Sequence, residues 1–198
     1  MNIEKRRLRV SFNSPAVLVF VLVCVCAQAL DALTHGWAND ALFSVYRSPL
    51  SDPLAYVRLV CHVFGHAGWQ HLMGNMTLLL ILGPMLEEKY GTSNIAFVML
   101  ATALSTGLVN ILLFPRVALL GASGVVFAFV LLSSITSAED GAIPLTFLLV
   151  AALYIGTEIY DGLFTRDNVS QLTHIVGGLV GTLLGFIMNK YHMRRVQR

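Results

Sequence analysis

Apolar residues run along this chain in long blocks separated by short polar breaks. Six blocks reach or approach the roughly 20 residues needed to cross a bilayer core. They lie at about 15–33, 69–86, 94–114, 118–137, 142–160 and 170–189. The pattern predicts six membrane-spanning helices joined by short loops and one long connection at 34–68. Six spans use most of the chain and leave no room for a separate soluble domain. The expected architecture is one all-α membrane domain over 1–198, a six-transmembrane helical bundle preceded by a short segment at 1–13.

Composition agrees with this pattern. Of 198 residues 56% are hydrophobic and 12% charged, where an ordinary soluble domain carries roughly 25% charged. A net charge of +2 implies no basic field for nucleic acid. The distribution of charge matters more than its sum. Lys5, Arg6, Arg7, Arg9, Lys89, Lys190, Arg194, Arg195 and Arg198 fall on one side of the predicted bundle, and Arg47, Arg58, Arg116 and Arg166 on the other. Nine against four places both termini in the cytoplasm by the positive-inside bias. The second, fourth and sixth spans then run from outside to inside. A competing reading of the first span is a signal peptide, with "AQA" at 27–29 as its cleavage site. Cys24, Cys26 and Cys61 have no disulfide or metal-site spacing and read as apolar filler and a free thiol.

Polar side chains inside membrane helices are costly, so each is a site candidate. "HLMGN" puts His71 and Asn75 at i and i+4, on one face near the outer end of the second span. Ser123, in "LLGASGVVF" at 119–127, lies near the start of the fourth, and His174 about one turn into the sixth. At about 1.5 Å rise per residue, these four side chains lie at similar depth. Gly177, Gly181 and Gly185 recur every fourth residue, a face that lets another helix approach closely, and His174 lies on it. If the partner is the fourth helix, entered at Gly121 and Gly124, Nε2 of His174 can reach the Ser123 hydroxyl.

Such a pair has a definite chemistry. A serine hydroxyl is a weak nucleophile until a base takes its proton, and histidine is the side chain that titrates nearest neutral pH. A helix N-terminus adds free N–H groups and the positive end of the dipole, which favour an oxyanion. His71 and Asn75 can add side-chain donors to the same charge. Each piece also has a structural reading: Ser123 bonded to its own backbone or a neighbouring helix, His174 a satisfied interior histidine, the glycines simple packing, and His71 and Asn75 helix-helix glue. What favours the chemical reading is that nucleophile, base and donors coincide in depth.

At these residues the sequence resembles the rhomboid family of intramembrane serine proteases. The resemblance covers about 56–190. It is carried by "HVFGHAGWQHLMGN", "EEKYG" at 87–91, "GASG" at 121–124 and "THIVGGLVG" at 173–181. It implies Ser123 as nucleophile, His174 as general base, and His71, Asn75 and the backbone N–H of Ser123 as oxyanion hole. Gly121 would belong to a loop that leaves room for the substrate. Gly124, Gly177 and Gly181 would serve helix packing. The connection at 34–68 would be a partly embedded first loop and the fifth helix a substrate gate. The implied substrates are transmembrane segments of other proteins within the lipid bilayer, and no metal or cofactor is implied. Many relatives carry a tyrosine one turn after the serine, where this chain has Phe127; its ring can still stack on the histidine, without the hydroxyl.

Other readings compete. His62 and His66 can be taken as metal ligands at i and i+4, although no cysteine or carboxylate completes a shell; in the resemblance they shape the first loop. Glu158 can be a triad acid or a solvated interfacial carboxylate. The whole protein can be a non-catalytic rhomboid-like binder of membrane helices, or a small transporter relaying protons or metal through its histidines. The compact form suggests a bacterial cytoplasmic membrane. No feature of the sequence identifies a substrate or an oligomeric state.

Overall fold

The computed structural model of the chain describes residues 12–136, 143–164 and 170–196, in parts of the last two helices by backbone alone. A helix lies on each of the six predicted blocks: α1 Pro15–Leu33, α3 Trp69–Tyr90, α4 Thr92–Leu113, α5 Ser123–Ile135, α6 Leu145–Phe164 and α7 Ser170–Val196. A seventh helix, α2 Pro53–Cys61, lies inside the long connection, between a π-turn at Asn39–Phe43 and a 3₁₀ turn at His62–Phe64. Among the described residues three helices are long and apolar enough to cross a bilayer: α1, α4 and the Leu172–Asn189 stretch of α7. Large apolar side chains such as Leu22, Leu112 and Leu183 remain exposed on their outer faces, as a protein solvated by lipid requires.

The fourth predicted span needs correcting. Its helix begins at Ser123, not near 118, and is 13 residues long. At about 1.5 Å per residue that is ~20 Å, against a bilayer core of ~30 Å. Tertiary pairing delays the start. Val45 N–H donates to the Leu119 carbonyl at 2.8 Å and Leu119 N–H to the Val45 carbonyl at 2.9 Å, an isolated antiparallel bridge. Gly121 then takes a φ of +126° that ordinary residues rarely adopt. Ser123 is therefore carried inward by extended chain before the helix begins. The rest of α5 forms the centre of the bundle, with Val125, Ala128, Phe129, Leu132 and Ile135 fully buried.

Polar clamps hold the connection and the helix ends. Arg58 is 2% exposed, and burying a guanidinium is costly unless it is paired. It pairs with Asp52, donates to Ser48 Oγ at 3.1 Å and to the Ala41 carbonyl at 3.3 Å, and stacks on Tyr46. Asp52 also caps α2 by accepting from Leu54 N–H at 3.0 Å, and its arginine partner holds its carboxyl below the usual range. Ser14 makes no side-chain cap for α1. Glu87 of α3 does so instead, accepting from Ala16 and Val17 N–H at 2.9 and 3.0 Å and from Thr92 Oγ1 at 2.8 Å. The "EEKYG" turn thus ties α3, α4 and α1 together.

Residues 5–9, Arg166 and Arg198 lie outside the described residues, and Lys190, Arg194 and Arg195 are described by backbone alone. The side chain of Glu158 also lies outside the description.

Candidate functional site

The glycine face of α7 rests on α5. A Cβ built at Gly177 would lie 2.3 Å from the Gly124 carbonyl oxygen, and one at Gly181 would lie 2.2 Å from that of Ala128. Real Cβ atoms do not approach so closely, so only glycine permits this contact. Gly124 also faces α4, where an added Cβ would meet the Thr106 methyl at 3.1 Å. One turn before Gly177, His174 Nε2 lies 2.8 Å from Ser123 Oγ, a hydrogen-bond distance. The Phe127 ring, one turn after Ser123, lies 4.5 Å from the His174 ring at 45°. Backbone contact therefore sets the spacing, and the aromatic ring supports the imidazole from a second side.

The α3 residues close the site through Gly121. Gly121 N–H donates to the His62 carbonyl at 2.9 Å. A Cβ at Gly121 would lie 3.0 Å from His71 Cε1, 3.3 Å from its Nε2 and 3.8 Å from Ser123 Oγ. His71 and Ser123 thus border the same small space. Ala67 N–H donates to His71 Nδ1 at 3.5 Å, which makes Nδ1 the acceptor and assigns the ring proton to Nε2, beside Gly121. Asn75, one turn further along α3, is buried, and its Nδ2 has no partner. A buried amide donor without an acceptor is a rarity that asks for a function.

His62 and His66 form the wall behind this space. His62 Nε2 lies 3.2 Å from Thr106 Oγ1 on α4, and His66 Nδ1 donates to the Phe64 carbonyl at 3.1 Å. Asn39 Nδ2 donates to the His66 carbonyl at 2.9 Å. Burial pushes both imidazoles down to about 4, so both are neutral near pH 7. Among the described residues no three His, Cys, Asp or Glu side chains group as metal ligands would. His62 thus bonds the first connection to α4, and His66 bonds within the connection.

One contributor was missed at the sequence level. Asn110, fully buried near the end of α4, donates from Nδ2 to the carbonyls of Val45 and Val117, both at 3.0 Å. It thereby fixes the two strands that deliver Gly121. An amide inside an apolar block was the available signal, the same one that singled out Asn75.

Comparison with known proteins converges on one family. A model described as "Rhomboid domain" matches residues 53–191. Rhomboid-like protein 11, chloroplastic, of Arabidopsis thaliana is 31% identical over 153 residues, covering 69% of this chain and 54% of the relative. Rhomboid-related protein 2 of Mus musculus is 30% identical over 194 residues, covering 87% of this chain and 64% of the relative. Rhomboid protease GlpG of Yersinia pseudotuberculosis is 26% identical over 188 residues, covering 92% and 66%. The chain spans between about half and two thirds of the length of these relatives. They include plant, animal and bacterial proteins, so they support a membrane protein and do not favour a bacterial membrane over another.

Proposed function

Because the chain belongs to the rhomboid family, we propose that it is an intramembrane serine endopeptidase that cuts transmembrane segments of other proteins with a Ser123–His174 dyad. The observation that carries this reading is the 2.8 Å separation of His174 Nε2 and Ser123 Oγ at the recessed start of a short helix. In the proposed reaction, His174 takes the hydroxyl proton as Oγ bonds to the scissile carbonyl carbon. The carbonyl π-electron pair moves onto oxygen, giving a tetrahedral oxyanion. Collapse of that intermediate breaks the C–N bond, and His174 returns the proton to the leaving amine. Water, deprotonated by His174, then hydrolyses the acyl-serine and restores the hydroxyl.

The oxyanion needs donors that are already in place. The backbone N–H of Ser123, at the first position of α5, has no partner within its own helix. His71 with its proton on Nε2, and Asn75 with its unpartnered Nδ2, supply two more. Such a donor is worth on the order of 3 kcal/mol in the transition state of studied hydrolases. We further place both termini on the cytoplasmic side and the site near the opposite surface, with six spans in all. Around the site, α2 exposes Leu54, Tyr56 and Val57, which suits a first connection partly embedded in lipid.

A fluorophosphonate probe tests the dyad. Labelling is expected in the wild type and absent in Ser123→Ala and His174→Ala. Equal labelling of all three folded proteins would refute the proposal. A holder that binds helices without cutting them is the outcome if a co-purified substrate is retained and never cleaved.

A further inference from the structure

Beside the segment that delivers Ser123, the first connection and the α4–α5 connection line an open cavity of about 420 Å³. Its lining includes Asp40, Tyr46, Arg47 and Arg116. Two cations and one anion leave it a formal charge of +1. Arg47 is fixed in place: Nε donates to the Ile111 carbonyl at 3.0 Å and Nη2 to that of Leu112 at 3.2 Å, at the C-terminal end of α4. These bonds leave Nη1 unspent. Tyr46 is held from behind by the Arg58 guanidinium 4.5 Å from its ring centroid. Arg116 is exposed and, among the described residues, Asp40 makes no ion pair with it.

Position gives this cavity its meaning. Val117 and Ala118 of its wall run directly into Leu119, which bridges to Val45, and then to Gly121 and Ser123. A polypeptide that followed this segment to Ser123 would pass the cavity. We propose that Arg47 and Arg116 form a specificity site for an acidic side chain of the substrate, outside the membrane. This inference rests on the protease reading given above. Arg116 stands seven positions before Ser123 in sequence, so an extended substrate lying along this segment at about 3.3 Å per residue would place its acid about five to eight residues from the cut. Arg116 offers a planar donor fork matched to a carboxylate, and Nη1 of Arg47 adds one further donor. Asp40 on the same wall limits the site to one anionic group.

The test uses the full chain in neutral detergent and three versions of one transmembrane substrate, with Asp, Gln or Lys about seven residues from the cut on its aqueous side. For the wild type, KM is expected to rise from Asp through Gln to Lys, by about three- to fivefold overall, the scale of an exposed ion pair. Arg116→Glu is expected to reverse the order, so that KM rises from Lys through Gln to Asp. Added salt is expected to compress the differences. Equal KM for all three substrates with both proteins overturns the proposal. So does a response to anionic lipid that Arg116→Glu abolishes while substrate charge has no effect, since that assigns the cavity to a headgroup phosphate. If even the Gln substrate is uncut, the protease reading fails separately, and the same ranking measured as binding affinity still decides the role of the cavity.

Discussion

Gly177 lies over the peptide carbonyl of Gly124 so closely that a Cβ at 177 would stand 2.3 Å from the oxygen. The obstacle is backbone, which cannot rotate away as a side chain can. Gly177→Ala is therefore expected to push α7 off α5 and lengthen the contact between His174 and Ser123. A misplacement of 1 Å can cost about a hundredfold in rate. Gly185 is the internal control, because its added Cβ would meet side-chain tips and no backbone: Leu132 Cδ1 at 2.9 Å and Ile135 at 3.6 Å and beyond. Probe labelling and melting temperature should both fall for Gly177→Ala and Gly181→Ala, and change little for Gly185→Ala. A similar loss at all three positions contradicts this account.

The same contact marks how far the sequence could be read. Four-residue glycine spacing and a histidine on the same face were visible along α7, and helix packing then placed that histidine on α5. Helix positions followed from apolar blocks, since a helix satisfies its own backbone in lipid. The start of α5 did not follow. Residues 118–122 read as apolar helix, but Leu119 pairs with Val45, a partner from a distant loop that no local pattern discloses. Arg58 and His66 of the 34–68 connection stand out in the sequence, but their partners do not: Asp52 for Arg58, and the Asn39 amide for the His66 carbonyl. His71 and Asn75 were legible as a pair on one face, whereas the tautomer of His71 depends on the Ala67 amide and on three-dimensional structure.

Asn75 separates catalysis from stability. Its Nδ2 has no acceptor in the resting protein, so removing the amide breaks no bond made by that atom. Asn75→Leu is expected to leave the melting temperature unchanged or slightly higher. Turnover is expected to drop by about a hundred- to a thousandfold, as when one oxyanion donor is removed. A variant that loses stability while its surviving folded fraction keeps full turnover contradicts the oxyanion role.

Acid should loosen the first connection before it protonates the carboxylates elsewhere. His62 and His66 are held at about 4 by burial, below the ordinary value of 6.5. In this window the unfolded chain binds more protons than the folded one, so stability falls as pH falls from about 6.5 towards 4. Above about 6.5 both states are neutral and the effect vanishes. Melting temperature measured from pH 7.5 to 4.5 should therefore decline on the acid side. His62→Gln, which keeps a hydrogen-bonding group towards Thr106, should flatten the decline while lowering stability at neutral pH. An equally steep slope in that variant assigns the acid sensitivity to other groups.

Phe127 supports the imidazole through its ring. Its ring lies 4.5 Å from that of His174, tilted by 45°, and it has no hydroxyl with which to anchor the histidine. Offset or tilted aromatic contacts contribute about 0.5–1.5 kcal/mol beyond the area they bury. Phe127→Leu keeps a buried apolar group of similar length but removes the ring, so His174 should sample more orientations. Turnover is expected to fall about tenfold with little change in KM, since no substrate contact is assigned to this ring. Phe127→Tyr keeps the stacking and is expected to stay within about threefold of wild type. If Leu matches wild type, the ring contact does not position the base.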